Sequence, residues 1–276
     1  MLTRFDAYTA TTRAAKPEVL IPLVWQLGDK IRQGRGHHGF KERASFVSEC
    51  GSESGSVSWG GTHGDLVMIE AKGERTPVAV ERLRASVEHR CTRVDSCHDV
   101  EEVGAFAALL KPCLEVKKGH KLKGSKAGDW DDFPEDGRTL YLGAQTSPVR
   151  LRLYEKGKQP EYRHLERPDW TRIEIQVRPS KDAKDVYSVA DSLAVWGASA
   201  WSRELASLVL AAEIAPLPAG TVYKLSEQER ALRFMCKQYG AHLIGLHNDL
   251  GGWEEVGRKL SEMIARERLG WSEHKK

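Results

Sequence analysis

The sequence has no long hydrophobic run, few cysteines and almost no excess of charge. No apolar stretch approaches the roughly 20 residues that a membrane-spanning helix needs, which argues against an integral membrane protein. The N-terminal residues MLTRFDAYTATT lack the apolar core of a secretory signal, so we expect a cytoplasmic protein. The five cysteines are odd in number and unpaired in spacing, which argues against a disulfide framework and against a cysteine-rich zinc site.

Composition is that of a folded protein with one sizeable core. Of the 276 residues, 40% are hydrophobic and 29% are charged, and the net charge is only +3. The charges are unevenly placed, because a basic run is followed directly by an acidic stretch. This run is either a solvated loop or an arm that touches DNA phosphates. Its cations are Lys117, Lys118, Lys121, Lys123 and Lys126.

Periodicity predicts an α+β protein, with an antiparallel β-sheet core and flanking helices over residues 1–214 and a small helical unit over residues 215–276. Strands are predicted at residues 2–9, 65–71, 91–99, 138–145, 149–156 and 170–178. Helices are predicted at residues 17–34, from Thr76 and at 101–112, with loops around short strands before Gly64 and a mobile loop at 117–137.

The C-terminal unit is predicted as three short helices. They would cover residues 226–239, 241–250 and 252–266, broken at Gly240 and at Gly251-Gly252. A helix-turn-helix interpretation places Arg258 and Lys259 near DNA, whereas a packing unit without DNA contact explains the same pattern.

Alternation in three predicted strands collects polar residues on one face. Side chains two residues apart share a face of a strand. In the strand at 149–156, the apolar residues alternate with Arg150, Arg152, Tyr154 and Lys156. In the strand at 170–178, they alternate with Arg172, Glu174, Gln176 and Arg178. In the strand at 91–99, Arg93, Asp95 and Asp99 share one face.

Two interpretations fit this face. It is either the solvated side of an antiparallel sheet or a reaction site, and aspartate is uncommon in strands. Carboxylates on a rigid sheet suit Mg²⁺ or Mn²⁺. A phenol with its ordinary pKa of about 10 is a poor nucleophile, and the cations Arg152 and Lys156 would favour its phenolate form. The cations would also bind a DNA backbone.

Three segments resemble the replication initiation factor family of filamentous phages and rolling-circle plasmids, of the trans-acting plasmid initiator type. CTRVDSCHDV (91–100) resembles the family's Arg-x-Asp-x-x-x-Asp strand, and RPDWTRIEIQVRP (167–179) resembles its Arg-hydrophobic-Glu-hydrophobic strand. The long hairpin GRTLYLGAQTSPVRLRLYEKGKQ (137–159) is the most specific of the three.

The resemblance implies a metal-dependent tyrosine endonuclease that nicks one strand of origin DNA. Tyr154 would form a 5′-phosphotyrosine and release a 3′-hydroxyl primer, while Arg152 and Lys156 would assist. Asp95, Asp99 and Glu174 would hold Mg²⁺ or Mn²⁺. We expect the DNA to be contacted by Arg93, Arg150, Arg172, Gln176, Arg178, Lys121 and Lys123.

Several alternatives stay open at this point. Tyr162 and Tyr141 are fallback nucleophiles, and the His-hydrophobic-His motif of related Rep and relaxase enzymes is absent from the sequence. A relaxase of a mobile element with the same chemistry and a non-catalytic DNA-binding regulator are the competing functions. The expected partner is single-stranded or extruded origin DNA in the host cytoplasm if the chain is phage-encoded. A host helicase and a homodimer are further partners that the sequence leaves undecided.

Overall fold

The computed structural model describes residues 3–24, 30–48, 51–131, 136–220 and 227–273. The chain divides into two compact units, Met1–Val222 and Tyr223–Lys276. None of the described helices combines the length and the apolar character needed to cross a membrane. The nicking role predicted for residues 1–214 stays a prediction at this stage.

The first unit is built on a ten-stranded antiparallel sheet. Its spatial order is β2-β3-β4-β5-β1-β6-β10-β9-β8-β7. The α+β class predicted from the sequence is therefore confirmed. The strands are β1 Arg4–Thr12, β2 Lys30–Arg35, β3 Glu42–Val47, β4 Glu53–Trp59, β5 Val67–Lys72, β6 Arg90–Glu101, β7 Gly124–Ala127, β8 Thr139–Leu142, β9 Val149–Glu155 and β10 Trp170–Val177.

Helices cover the apolar face of this sheet. On β9, Leu151 and Leu153 are fully buried and belong to the same core as residues from every helix of the unit. Each such side chain contributes roughly 2 kcal/mol by leaving water. Trp196 is also fully buried, and its indole Nε1 donates to Ser96 Oγ at 3.1 Å, so no polar group is left unpaired there. The helices are α1 Pro17–Val24, α2 Thr76–Ser86, α3 Ala105–Gly119, α4 Ala183–Val189 and α5 Ala200–Leu210.

The register of β6, β10 and β9 sets the opposite, polar face. Glu174 of β10 pairs with Cys97 of β6 on one side and with Arg152 of β9 on the other. Directly paired residues point to the same side of a sheet. The prediction that these three strands are neighbours with one shared polar face is confirmed.

The predicted extents of the N-terminal helix and of the loops after it are wrong. The described helix covers Pro17–Val24, residues 25–29 lie outside the described residues, and residues 30–35 form β2 instead of the end of a helix. Residues up to Gly64 include three complete strands, because β2, β3 and β4 pair into a hairpin extension of the sheet. An amphipathic pattern of this length is compatible with either a helix or a strand, and the presence of a strand to pair with determines which of the two forms.

The mobile loop predicted at 117–137 is wrong for part of its described range. Helix α3 continues through Pro112 to Gly119, and Gly124–Ala127 pairs with β8 as the edge strand β7. Lys121 and Lys123 lie in the exposed turn between these elements. Residues 132–135 of the predicted loop lie outside the described residues.

The second unit consists of two long helices, α6 Glu227–Leu250 and α7 Trp253–Glu273. The predicted break at Gly240 is wrong, because a single glycine costs a helix interior only about 1 kcal/mol. The break at Gly251 is confirmed, and this residue adopts a left-handed φ of 83°. Arg258 pairs with Glu255 and Glu262 along α7, and its predicted DNA contact stays a prediction.

Candidate active site

The polar face of the sheet contains a cavity of about 470 Å³ at its centre. Strands β1, β5, β6, β8, β9 and β10 all contribute to its walls, so residues from distant parts of the chain meet there. Its charged lining consists of Asp6, Glu70, Lys72, Arg93, Asp95, Arg150, Arg152, Glu174 and Arg178, and its tyrosines are Tyr141, Tyr154 and Tyr162.

Tyr154 lies on β9 at the edge of this cavity, with only 2% of its surface exposed. Its hydroxyl donates a hydrogen bond to Glu174 Oε2 at 3.3 Å. The guanidinium of Arg152 lies over its ring, 4.0 Å from the centroid. The phenol and a carboxylate that were predicted to share one face are therefore in direct contact.

Burial raises the pKa of the Tyr154 phenol above its ordinary value, and the negative charge of Glu174 acts in the same direction. Arg152 and Arg172 lower this pKa but do not outweigh burial. The expectation that Arg152 favours the phenolate agrees with this direction, but burial outweighs the arginine in the protein alone. In the free protein the hydroxyl therefore retains its proton at neutral pH.

Glu174 is buried between two groups that hold its carboxylate in place. Its Oε1 lies 2.9 Å from Arg152 Nε, an ion-pair contact without the alignment of a hydrogen bond. Burial raises the pKa of the Glu174 carboxyl; Arg152 lowers it, while the negative Asp6 and Asp95 add to the rise. The carboxylates of this cavity thus repel one another, and a bound cation would relieve that repulsion.

Asp95 lies on β6, beside Gln176 of β10. Arg93, two residues away on the same strand face, donates to both of its carboxylate oxygens. The Gln176 amide donates to Asp95 Oδ2 at 3.2 Å. Asp95 is nearly buried, whereas the Arg93 side chain is 41% exposed, so this arginine can move to meet a ligand.

Arg172 is placed differently from the DNA contact predicted for it. It is fully buried, and its Nε and Nη2 each donate to Asp99 at 2.6 Å while Nη1 donates to Asp6. Trp170 Nε1 donates to the same Asp99 at 2.9 Å. Burial alone would raise the pKa of the Asp99 carboxyl, but the hydrogen bonds from Arg172 hold it below its usual value. These contacts favour a structural ion pair between Arg172 and Asp99. They do not favour the predicted DNA contact of Arg172 or the predicted metal-ligand role of Asp99.

Asp6 is a member of this cluster that was not predicted from the sequence. It lies where the register between β1 and β6 shifts between Phe5 and Ala7. An extra residue at a β-bulge redirects a side chain, and here it points the carboxylate at Arg172. No local motif marks such a position, since the bulge depends on the partner strand.

Lys156 follows the end of β9, where the chain turns into a short 3-10 segment. Only 1% of its surface is exposed, and its ammonium lies 4.3 Å from the ring centre of Tyr162 and 4.5 Å from that of Trp170. Burial lowers the pKa of this ammonium to about 8, and the positive charge of Arg172 acts in the same direction. Aromatic faces partly replace the lost hydration of the cation.

We expect the burial of Lys156 to make stability depend on pH. Between about pH 8 and about 10.4 the unfolded chain holds a proton on this lysine that the folded chain releases, so the free energy of unfolding rises with pH. Relative to Lys156→Met, the wild type should gain about 2 kcal/mol between about pH 7 and about pH 9.5. Urea unfolding of both proteins measures the difference, in which other titrating groups cancel. A difference independent of pH would contradict the assigned pKa.

Of the remaining predicted DNA contacts, Arg150 and Arg178 line the cavity. Arg150 lies 4.2 Å from the ring centre of Tyr141, and Arg178 Nη1 donates to the Gln145 carbonyl at 2.9 Å. Lys121 and Lys123, in the turn before β7, do not line the cavity. The fallback nucleophiles Tyr141 and Tyr162 both line it, so position alone does not exclude them.

A divalent ion, implied by the sequence resemblance, is compatible with part of the predicted ligand set. Asp95, Glu174 and the Gln176 amide offer oxygen donors to the cavity. Among the described residues, no group of three or more His, Cys, Asp or Glu side chains is arranged to hold a metal. Mg²⁺ commonly takes only one or two carboxylates and completes its shell with waters and substrate phosphates, so two carboxylates fit such an ion.

Comparison with known proteins identifies the central part of the chain. Residues 93–209 match the model of a family described as "Replication initiation factor". This match confirms the family resemblance. The replication initiation factor segment contains all six catalytic and metal positions selected from the sequence, which are Asp95, Asp99, Arg152, Tyr154, Lys156 and Glu174.

Among solved structures, the chain is similar to a rolling-circle replication initiator protein from Geobacillus stearothermophilus. The two share 18% sequence identity, with a TM-score of 0.49, over 71% of this chain and 82% of that one. No curated protein matches the sequence. The replication initiation factor segment spans most of β6 through most of α5, whereas β1 and β5, which complete the cavity, lie outside it.

Proposed function

We propose that the chain is a rolling-circle replication initiator that nicks one strand of origin DNA through Tyr154. The observation that carries the proposal is the buried Tyr154–Glu174 hydrogen bond at the edge of a cavity lined by arginines. The match to replication initiation factors supports a role at an origin. Single-stranded or extruded DNA is the substrate form that gives a phenol on a sheet access to the phosphate.

The reaction exchanges one phosphodiester for another. The Tyr154 oxygen attacks the scissile phosphorus, the bond from phosphorus to the 3′-oxygen breaks, and the 5′-phosphate remains on the tyrosine. The phenol loses its proton and the leaving 3′-oxygen gains one, so a free 3′-hydroxyl primer results. Because the bond formed resembles the bond broken, the same site can reverse the step and rejoin the strand.

Glu174 positions the nucleophile in this scheme. Its carboxylate holds the phenol by the hydrogen bond at 3.3 Å and is itself held by Arg152. Orientation of this kind lowers the barrier because the reacting oxygen is aligned before the substrate binds. Arg152 also lies over the phenol ring, where its charge can interact with a phosphate entering the cavity.

We assign Asp95 and Glu174, with Gln176, to hold Mg²⁺ or Mn²⁺. When bound there, the ion would polarise the scissile phosphate and neutralise charge that develops on it. Asp99 is left out of this set because it does not line the cavity and its oxygens accept from the fully buried Arg172. Arg93, Arg150 and Arg178 are assigned to the DNA backbone, where their charges offset those of the phosphates.

A covalent-capture experiment tests the proposal without knowledge of the origin sequence. The protein is incubated with Mn²⁺ and a pool of single-stranded oligonucleotides of random sequence that carry a 3′ label. Labelled protein that survives denaturant is then digested, and the modified peptide is identified by mass spectrometry. We expect a nucleotide on Tyr154 and a shared sequence among the captured strands.

Removal of the ion and of one assigned ligand provides the controls. A chelator should abolish capture, and Asp95→Asn should raise the Mn²⁺ concentration needed for half-maximal capture by about 10- to 100-fold, the range typical of perturbed metal sites. Asp99→Asn is the matched control, and it should change this concentration much less. Wild type that binds the pool but never forms an adduct would favour a non-catalytic DNA-binding regulator.

A further inference from the structure

The side of the cavity formed by β8, β9 and the end of β10 carries two arginines without acidic partners. Arg93 and Arg152 are each paired with a carboxylate of the cavity. Within the described residues, no ion pair joins Arg150 or Arg178, which line the same cavity, to an acidic side chain. The Nε atom of Arg150 is buried and has no hydrogen-bond partner among these residues. These two arginines are therefore available to a ligand of opposite charge.

The arginines on this side crowd one another. Arg150 pairs with Gln176 of β10, and Arg178 follows two residues after Gln176. Burial lowers the pKa of the Arg178 guanidinium below its ordinary value, and the positive charges of Arg93 and Arg150 act in the same direction. Asp95 opposes these effects without outweighing them. A phosphate would relieve the crowding, and its oxygens accept the forked hydrogen bonds of a guanidinium.

An aromatic ring lies beside these charges. The guanidinium of Arg150 lies over the Tyr141 ring, 4.2 Å from its centre, and both side chains are half-buried in the cavity wall. Tyr141 pairs with Arg152 of β9, two residues before Tyr154. Tyr141 and Tyr154 are therefore diagonal neighbours on adjacent strands, roughly 7–8 Å apart. A flat cation over an aromatic ring offers the kind of surface on which an unpaired base stacks.

This spacing places the aromatic surface next to the scissile phosphate. Successive nucleotides of a stacked strand are about 3.4 Å apart, and an unstacked strand is more extended. A base over Tyr141 therefore belongs to a nucleotide within about two positions of the phosphate that Tyr154 attacks. Bases inside a duplex are covered by their neighbours, so this surface is accessible only to a single strand.

The opposite side of the cavity, formed by β1 and β5, does not suit a DNA strand. Lys72 is already paired with Glu53 there. Asp6 and Glu70 also line this side. Carboxylates repel a phosphate backbone, so we expect the strand to continue from the nucleophile towards Arg150.

We propose that Tyr141 and Arg150 form a nucleotide subsite, in which a base stacks on the pair and the neighbouring phosphate is bound by Arg150 and Arg178. The inference rests on the proposed function, since it assumes that a DNA strand enters the cavity. Tyr141 acts here through its ring, and its hydroxyl is not required. Because every base has an aromatic face, the subsite tolerates different sequences and favours strands with unpaired bases.

Binding assays on two single-stranded probes test the base contact. One probe is a strand of about eight thymidines, and the other is an abasic deoxyribose-phosphate chain of the same length. Fluorescence anisotropy without added metal gives Kd for each probe. Tyr141→Leu keeps an apolar side chain on β8 but removes the aromatic face. It should bind the thymidine probe about tenfold more weakly and the abasic probe less than about twofold more weakly. Tyr141→Phe keeps the ring and should bind both probes as the wild type does.

The salt dependence of Kd tests the phosphate contact. Between about 50 and about 200 mM salt, Arg150→Ala should weaken binding of both probes and lower the slope by about 0.7, the value for one phosphate contact of a single strand. Arg138→Ala is the matched control. The Arg138 guanidinium also lies over a ring, 4.4 Å from the centre of Phe106, but it is paired with Glu155 and does not line this cavity. This control should leave both Kd values and the slope unchanged.

The probes separate the subsite from a packing role. Equal losses on the two probes in Tyr141→Leu, or no loss on either, would overturn the inference and leave Tyr141 as a cross-strand packing residue. Wild type that binds neither probe would also overturn it. Covalent capture is scored separately. A base effect at Tyr141 without any adduct would refute only the nicking chemistry, and an adduct on Tyr154 without a base effect would refute only the subsite.

Discussion

Replacement of Tyr154 by phenylalanine is expected to lower covalent capture of DNA at least about a thousandfold, because the attacking oxygen is removed. The aromatic ring remains, so Arg152 keeps its contact over the ring, 4.0 Å from the centroid in the wild type. Only the hydrogen bond to Glu174 is lost, and the ion pair of that carboxylate with Arg152 persists. We therefore expect DNA affinity to change less than about threefold.

The two other tyrosines of the cavity supply matched controls for this result. Tyr162→Phe and Tyr141→Phe remove the same atom from the same cavity, but neither of these hydroxyls has the contact with Glu174 that Tyr154 makes. Both variants should form the adduct at close to the wild-type level. Capture that persists in Tyr154→Phe and disappears in one of the others would move the nucleophile to that residue.

The part of this site that was predictable from the sequence is the part set by strand alternation. The hydrophobic residues of β9 and β10 fix which side faces the core, and so Tyr154 and Glu174 must share the other side once the strands are adjacent. That adjacency was assumed at the level of sequence, and the strand register now shows it. Once adjacency is given, the local pattern is sufficient for the central contact.

Contributions from strands outside those segments were not predictable. Asp6 and Glu70 enter the cavity because β1 lies between β5 and β6, a pairing between distant parts of the chain. The predicted helix at 17–34 failed for a related reason, since β2 becomes a strand by pairing with β3. Local propensity carries no information about which partner is present.

Alternation also could not separate the two aspartates of β6. Asp95 and Asp99 lie on the same strand face, and the family resemblance assigned both to the metal, with Asp95 the stronger assignment. What separates them is the exposure of the arginine partner: Asp99 pairs with the fully buried Arg172, whereas Asp95 pairs with the partly exposed Arg93. That difference depends on how deeply each partner arginine is buried, which the alternation of residues along a strand does not show.

Replacement of Arg172 by methionine is expected to lower the free energy of unfolding by about 3–5 kcal/mol, because it leaves Asp99 and Asp6 without their buried partner. Arg90→Met is the matched control. Arg90 makes a similar forked pair with Asp185, but both side chains are about half exposed, and the loss should be below about 1 kcal/mol. Urea unfolding at neutral pH measures both variants.

The pH dependence of the Arg172→Met effect gives a second test. The pKa of Asp99 is lowered in the wild type, so its contribution to stability is present above the unfolded pKa of about 3.9 and is lost as the pH falls through the lower folded value. In the variant, the unpaired carboxyl takes up a proton at higher pH, which removes the cost of burying its charge. The difference between wild type and variant should therefore narrow from about pH 7 to about pH 4. Adding Asp99→Asn to the variant should recover part of the lost stability, because an amide carries no charge to bury. A difference that does not change with pH, and no recovery in the double variant, would show that Arg172 acts through packing instead of through its charge.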